Sequence, residues 1–118
     1  MSHPRSPITS HILDISRGKP AAGVPVTLEF RKTEKEWTLL GDGVSNPDGR
    51  LENLLAPGTH LHAGVYRITF NTEVYFNELK ARSFYPYATV AFEVTAPGEH
   101  YHIPLLLSPF GYSTYRGT

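Results

Sequence analysis

The chain contains no cysteine, which excludes disulfide frameworks, thiolate nucleophiles and cysteine-type zinc sites. It has no excess of charge either. Lys and Arg number 11 against 11 Asp and Glu, so there is no basic footprint for nucleic acid or for an anionic membrane surface. No run of about 20 apolar residues is present to span a bilayer, and the polar start, Met1 to Pro7, has no apolar stretch resembling a signal-peptide core. A soluble, cytoplasmic protein is expected, with a peroxisomal location open in a eukaryote. The 118 residues suffice for one two-layer core and not for two. We read residues 1–7 as a flexible tail and residues 8–118 as a single domain.

What is present is β punctuation. Gly and Pro number 10 each and fall between short β-branched and aromatic runs, the pattern of an all-β sandwich or barrel. Val24, Val26, Leu28 and Phe30 alternate with Pro25, Thr27, Glu29 and Arg31, which predicts a strand with one buried face. Tyr66, Ile68 and Phe70 alternate in the same way, as do Val90, Phe92 and Val94; Trp37 to Leu40 is a weaker strand. Asn46-Pro47-Asp48-Gly49 is a turn signal that presents Arg50 at the start of the next short strand. Thr72 to Ala81 is the one helical candidate, with Asn71 or Thr72 as cap, Lys80 in the last turn, and Tyr75 and Leu79 on one face.

Two strands have apolar residues on both faces. In Tyr101 to Leu107, the set Tyr101, Ile103, Leu105 and Leu107 is apolar, and so is most of the set His102, Pro104 and Leu106. The first strand repeats this, with Ile8 and Ile12 on one side and Thr9, His11 and Leu13 on the other. A two-layer sandwich covers one face of each sheet, so a second subunit is expected over the outer one. If these two strands are neighbours, His11 and His102 share that outer face.

With thiolates excluded, the histidines are the leading catalytic candidates. His3, in the tail, and His60 and His62, beside the Pro57-Gly58 loop, read as ordinary surface residues. The spacings His60-x-His62 and His100-x-His102 could place two imidazoles on one strand face for zinc, with His11 as a third ligand. Arg50 nearby would repel the cation, and no metal is expected. Polar groups on an apolar face cost free energy unless paired, so His11 and His102 are either interface hydrogen-bonding groups or functional ones. As chemistry, one imidazole kept neutral by desolvation and by Arg50 can take a proton from water, while Arg50 stabilises charge on a substrate oxygen and the second imidazole orients water or substrate. That set suits hydrolysis of a cyclic amide. No Ser-His-Asp spacing, nucleophile elbow or phosphate loop competes with it.

Ser10-His11-Ile12-Leu13-Asp14, Gly18-Lys19-Pro20-Ala21 with the Val24 strand, and Tyr101-His102-Ile103-Pro104-Leu105-Leu106-Leu107-Ser108-Pro109 resemble the transthyretin-like family over nearly the whole chain after the tail. The terminal Tyr115-Arg116-Gly117-Thr118 resembles the Tyr-Arg-Gly-Ser signature of its enzyme branch, with Thr118 where Ser is usual and the hydroxyl kept. The family also includes the hormone carrier transthyretin, in which the two His positions, the Arg and the tetrapeptide are lost. The resemblance therefore implies an all-β, transthyretin-like two-sheet antiparallel β-sandwich with one short helix. It further implies hydrolysis of 5-hydroxyisourate to 2-oxo-4-hydroxy-4-carboxy-5-ureidoimidazoline without a cofactor, by a homotetramer that is a dimer of dimers with a channel lined by outer sheet faces. His102 with His11 would activate water and shuttle a proton to the leaving nitrogen, and Arg50 and Arg116 would bind the substrate through bidentate hydrogen bonds. Tyr115, Arg116, Gly117 and Thr118 would close the pocket, with Ser113 lining it. The competing readings are a carrier for an aromatic ligand, which needs an apolar channel, and a structural sandwich module without chemistry.

Overall fold

The fold is described here from a computed structural model covering residues 5–118, so His3 lies outside the described residues. Nine strands and one helix follow in chain order: β1 Ile8–Asp14, β2 Lys19–Pro20, β3 Pro25–Arg31, β4 Trp37–Val44, β5 Arg50–Leu51, β6 Gly64–Phe70, α1 Thr72–Glu78, β7 Ala88–Val94, β8 Tyr101–Ser108 and β9 Gly111–Thr114. They form two sheets. One has the order β2-β1-β8-β9 with β5 also paired to β1, and the other has the order β4-β3-β6-β7. Every pairing is antiparallel except the one at the centre of the first sheet, where β1 and β8 run parallel, Ile8 opposite Tyr101 through Asp14 opposite Leu107.

The period-two expectation holds on the facing sides. Val26, Leu28, Ile68, Phe70 and Val94 from one sheet, with Val24 just before β3, meet Ile8, Ile12, Leu105 and Leu107 from the other in a single buried cluster. Burying each such aliphatic side chain contributes about 1.5–3 kcal/mol, so the alternation is enforced by the core. The opposite set on β1 and β8 is not stranded in water: His11, Leu13, His102 and Leu106 are half-buried and Thr9 is buried.

Two expectations require correction. The helix ends at Glu78, three residues short of Ala81. Lys80 follows it with φ of 55°, outside the helical region, and neither proposed cap works: Asn71 makes no side-chain cap bond and the Thr72 hydroxyl donates to the Tyr85 carbonyl. Tyr75 and Phe76 are the buried helix residues, while Leu79 is exposed. The stretch read as a flexible tail is also tied down over Arg5 to Pro7. Gly58 N–H donates to the Arg5 carbonyl, Tyr101 N–H donates to the Pro7 carbonyl, and the buried Ser6 hydroxyl donates to the Ile8 carbonyl.

The helix is fastened to the first sheet through Asp14, at the end of β1. Its carboxylate accepts hydrogen bonds from Ser16 N–H, Ser16 Oγ and Arg17 N–H, and from the Tyr75 hydroxyl at 2.7 Å. Burial alone would raise the Asp14 pKa, but the hydrogen bonds from Ser16, Tyr75 and Arg17 outweigh it and hold the value below its ordinary 3.8. Stability from this cluster is thus present above pH 3.8 and lost as pH falls through the lower folded value. Tyr75→Phe is expected to lower stability by about 1.5–3 kcal/mol near neutral pH, the worth of a hydrogen bond to a charged group. Urea titrations should show that deficit shrinking in strong acid; a deficit independent of pH would separate Tyr75 from the Asp14 charge.

Candidate active site

Local chemistry places Arg50 beside His11. The Asn46 side chain accepts from Asp48 N–H and Arg50 N–H, both at 2.9 Å, and Gly49 closes the turn with φ of 76°. A side chain at Gly49 would collide with the Ile12 carbonyl and crowd Ala21 N at 3.2 Å, so only glycine lets the turn lie against β1. β5 then pairs with β1 in the register His11 opposite Arg50.

On the other side of β1, parallel pairing sets Thr9 opposite His102. Thr9 Oγ1 lies 2.8 Å from His102 Nδ1 and 3.1 Å from His100 Nε2, and the two imidazoles stand nearly parallel at 17° with centroids 6.5 Å apart. Together with Arg5, Ser10, Arg50, Glu52 and Thr118 these groups line a cleft of about 280 Å³. Among the described residues His102 Nε2 makes no hydrogen bond, and no buried side-chain nitrogen is left unpartnered, so Nε2 opens to the cleft. Burial lowers the His102 pKa, and the charges of Arg50, His11 and Arg5 lower it further. His102 is thereby kept neutral and able to accept a proton near pH 7.

The structure brings Arg50, His102 and Thr118 to one cleft and puts His11 at its margin. His11 Nε2–H donates to the Asp48 carbonyl at 2.9 Å, and its charge is felt at His102, though His11 is not among the lining residues. The terminal segment continues the β9 pairing, Leu106 opposite Ser113, to a bridge of His102 with Gly117. Gly117 N–H donates to the His102 carbonyl at 2.8 Å, and a Cβ on Gly117 would stand 2.6 Å from His102 Cδ2. The tail therefore packs directly on the imidazole.

Arg116 departs from expectation. In this register it falls opposite Ile103, on the core side of β8, so alternation turns it away from His102. It pairs with Glu99 at 2.7 Å and covers the Tyr101 ring at 4.6 Å. Ser113 and Tyr115 are exposed and lie outside the cleft lining. Five lining residues were not among the expected site members: Arg5, Thr9, Ser10, Glu52 and His100. Thr9 carries the signal of shared parity with His11, and the His100-x-His102 spacing was read only for metal binding. Among the described residues no group of three metal-ligating side chains forms. A larger hollow of about 640 Å³, bordered by β3, β4 and the segment before β7, contains no histidine or arginine.

Comparison with known proteins identifies the family and the fold. The family model described as HIUase/Transthyretin family matches residues 8–117. The 5-hydroxyisourate hydrolase of Salmonella dublin is 46% identical over 111 residues, covering 94% of this chain and 80% of that one. Among solved structures, the Klebsiella pneumoniae 5-hydroxyisourate hydrolase has a TM-score of 0.81 at 37% identity, covering 94% of this chain and 98% of that one. Sea bream transthyretin in complex with thyroxine has a TM-score of 0.88 at 33% identity, covering 96% of each chain. The fold is therefore shared by an enzyme and by a thyroxine complex, and side chains must decide between them. On the match of the family model and these identities, the chain belongs to the HIUase/Transthyretin family.

Proposed function

We propose that this protein hydrolyses 5-hydroxyisourate, opening the six-membered ring to give 2-oxo-4-hydroxy-4-carboxy-5-ureidoimidazoline. The observation that carries the reading is the His102 imidazole, held neutral among cations at the mouth of a polar cleft. A carrier of an apolar ligand has no use for that arrangement, whereas a ureide substrate presents the donors and acceptors that Arg50 and the histidines can meet.

In the reaction, His102 takes a proton from water as the water oxygen bonds to the ring carbonyl carbon. Arg50 stabilises the negative charge that develops on the carbonyl oxygen. The carbon–nitrogen bond then breaks, the proton passes to the leaving nitrogen, and a carboxyl and a ureido group result. His11 orients water or substrate from the cleft margin. Gly117 and Thr118 close the cleft over His102, and Tyr115 and Ser113 flank it on the outer sheet face. Arg116, paired with Glu99, anchors the tail. The assembly is a homotetramer, a dimer of dimers, with the outer faces of the β2-β1-β8-β9 sheets lining its channel. Half-buried Leu13 and Leu106 on that face, with exposed Tyr115 and Phe110 nearby, support a covering subunit.

Ultraviolet decay of freshly made 5-hydroxyisourate is the direct test, and the protein is expected to accelerate it strongly; decay at the buffer rate would end the reading. His102→Asn and Arg50→Glu should each cost about 10²–10⁴ in kcat, the range for a positioned proton acceptor or charge-stabilising group. Near-normal turnover in either removes that residue from the mechanism. Because burial and neighbouring cations depress the His102 pKa, the acid limb of kcat/KM should have its midpoint below 6.5, and Arg50→Gln should move it upward. An unmoved limb would assign it to another group. Gly117→Ala should lower kcat at least about tenfold by displacing the ring, with little change in thermal midpoint because the site is at the surface.

A further inference from the structure

Thr9 sits between two imidazoles, and a hydroxyl has a single proton to give. Thr9 is buried and its hydroxyl meets no other partner among the described residues, so its proton goes to one ring nitrogen and its oxygen accepts from the other. The direction is set at His100, on which the Ser6 backbone carbonyl acts as a hydrogen-bond acceptor. A carbonyl only accepts, so neutral His100 carries its proton on Nδ1 and its Nε2 must accept from the Thr9 hydroxyl at 3.1 Å. The Thr9 oxygen is then left to accept, and His102 Nδ1, at 2.8 Å, must be the N–H that donates to it. His102 Nε2 is left bare where the ring opens to the cleft.

Resting on the hydrolase reading, we propose that Thr9 is a positioning residue: with His100 behind it, it holds His102 in the Nδ1–H tautomer, making His102 Nε2 the atom that takes the proton from water. His11 stands outside the cleft lining, with its Nε2–H donating to the Asp48 carbonyl. When Nε2 takes the proton, the hydroxide formed bonds to the carbonyl carbon, and the imidazolium keeps Nδ1–H on Thr9. The same Nε2–H then goes to the leaving nitrogen, which restores the starting tautomer. Burial and the charges of Arg50, His11 and Arg5 disfavour the imidazolium, His100 is a neutral hydrogen-bonding neighbour, and Glu52 is the acidic group in the cleft wall, so the cations outnumber the anion and speed return of the proton. Thr9 is 7% exposed and cannot turn freely to water.

Nitrogen-15 spectra of histidine-labelled protein at neutral pH are expected to show His102 protonated on Nδ1 and bare on Nε2. Thr9→Val should lose that preference and lower kcat at least about tenfold, with KM within about twofold, since a positioned base is worth 10²–10⁴. Thr9→Ser should restore both tautomer and turnover, and His100→Ala, which frees the hydroxyl to rotate, should disturb the tautomer with Thr9 intact. A wild-type His102 protonated on Nε2, or Thr9→Val with unchanged kcat, would overturn the assignment. Should Thr9→Val fail to fold, the wild-type and Thr9→Ser spectra still decide. If the wild-type protein does not hydrolyse 5-hydroxyisourate the functional reading fails separately, because the spectra report the tautomer without turnover.

Discussion

The parallel pairing of β1 with β8 is the constraint on which the site depends. Its register is held by the core: Ile8 and Ile12 on one strand and Tyr101, Ile103, Leu105 and Leu107 on the other must all face inward. A slip of one residue would expose that whole set and bury His102 in its place. Hydrophobic burial on the inner face thus positions Thr9 and His102 on the outer face, although neither contributes to the core. The same strand accepts β5 on its other edge, which adds Arg50. Three segments distant in sequence meet because β1 lies between the others.

Electrostatics then separates this chain from other uses of the fold. The thyroxine complex of sea bream transthyretin and the Klebsiella hydrolase superpose on it comparably, so the backbone does not discriminate. The outer face carries the distinctive charges of this chain. Arg5, Arg50 and His11 act on one partly desolvated imidazole, and the tail lays a glycine against its ring where any Cβ would clash. Surrounding cations keep the imidazole unprotonated at neutral pH and stabilise an anionic intermediate.

Much of this was legible in the sequence. Strict alternation in the Val24, Tyr66 and Val90 strands identified an all-β sandwich or barrel, because a half-buried strand has a period of two whatever it packs against, and the family resemblance chose the sandwich. The Asn46 to Gly49 turn announced Arg50. The helix boundary was not legible: Lys80 leaves the helical region and Leu79 faces solvent, outcomes that local propensity does not determine. Arg116 was expected in the cleft from resemblance alone, and strand parity turns it to the opposite side, onto Tyr101 and Glu99.

The sequence by itself determined which residues could do the chemistry and which face of each strand they occupy, since residue type and alternation are local properties. Tertiary structure alone decided which of those faces meet. That His100 stands behind Thr9, that Thr9 touches His102, and that His11 is occupied by the Asp48 carbonyl follow from strand order and register. Those are settled by long-range burial and pairing between segments 37 to 93 residues apart, from His11 with Asp48 to Thr9 with His102.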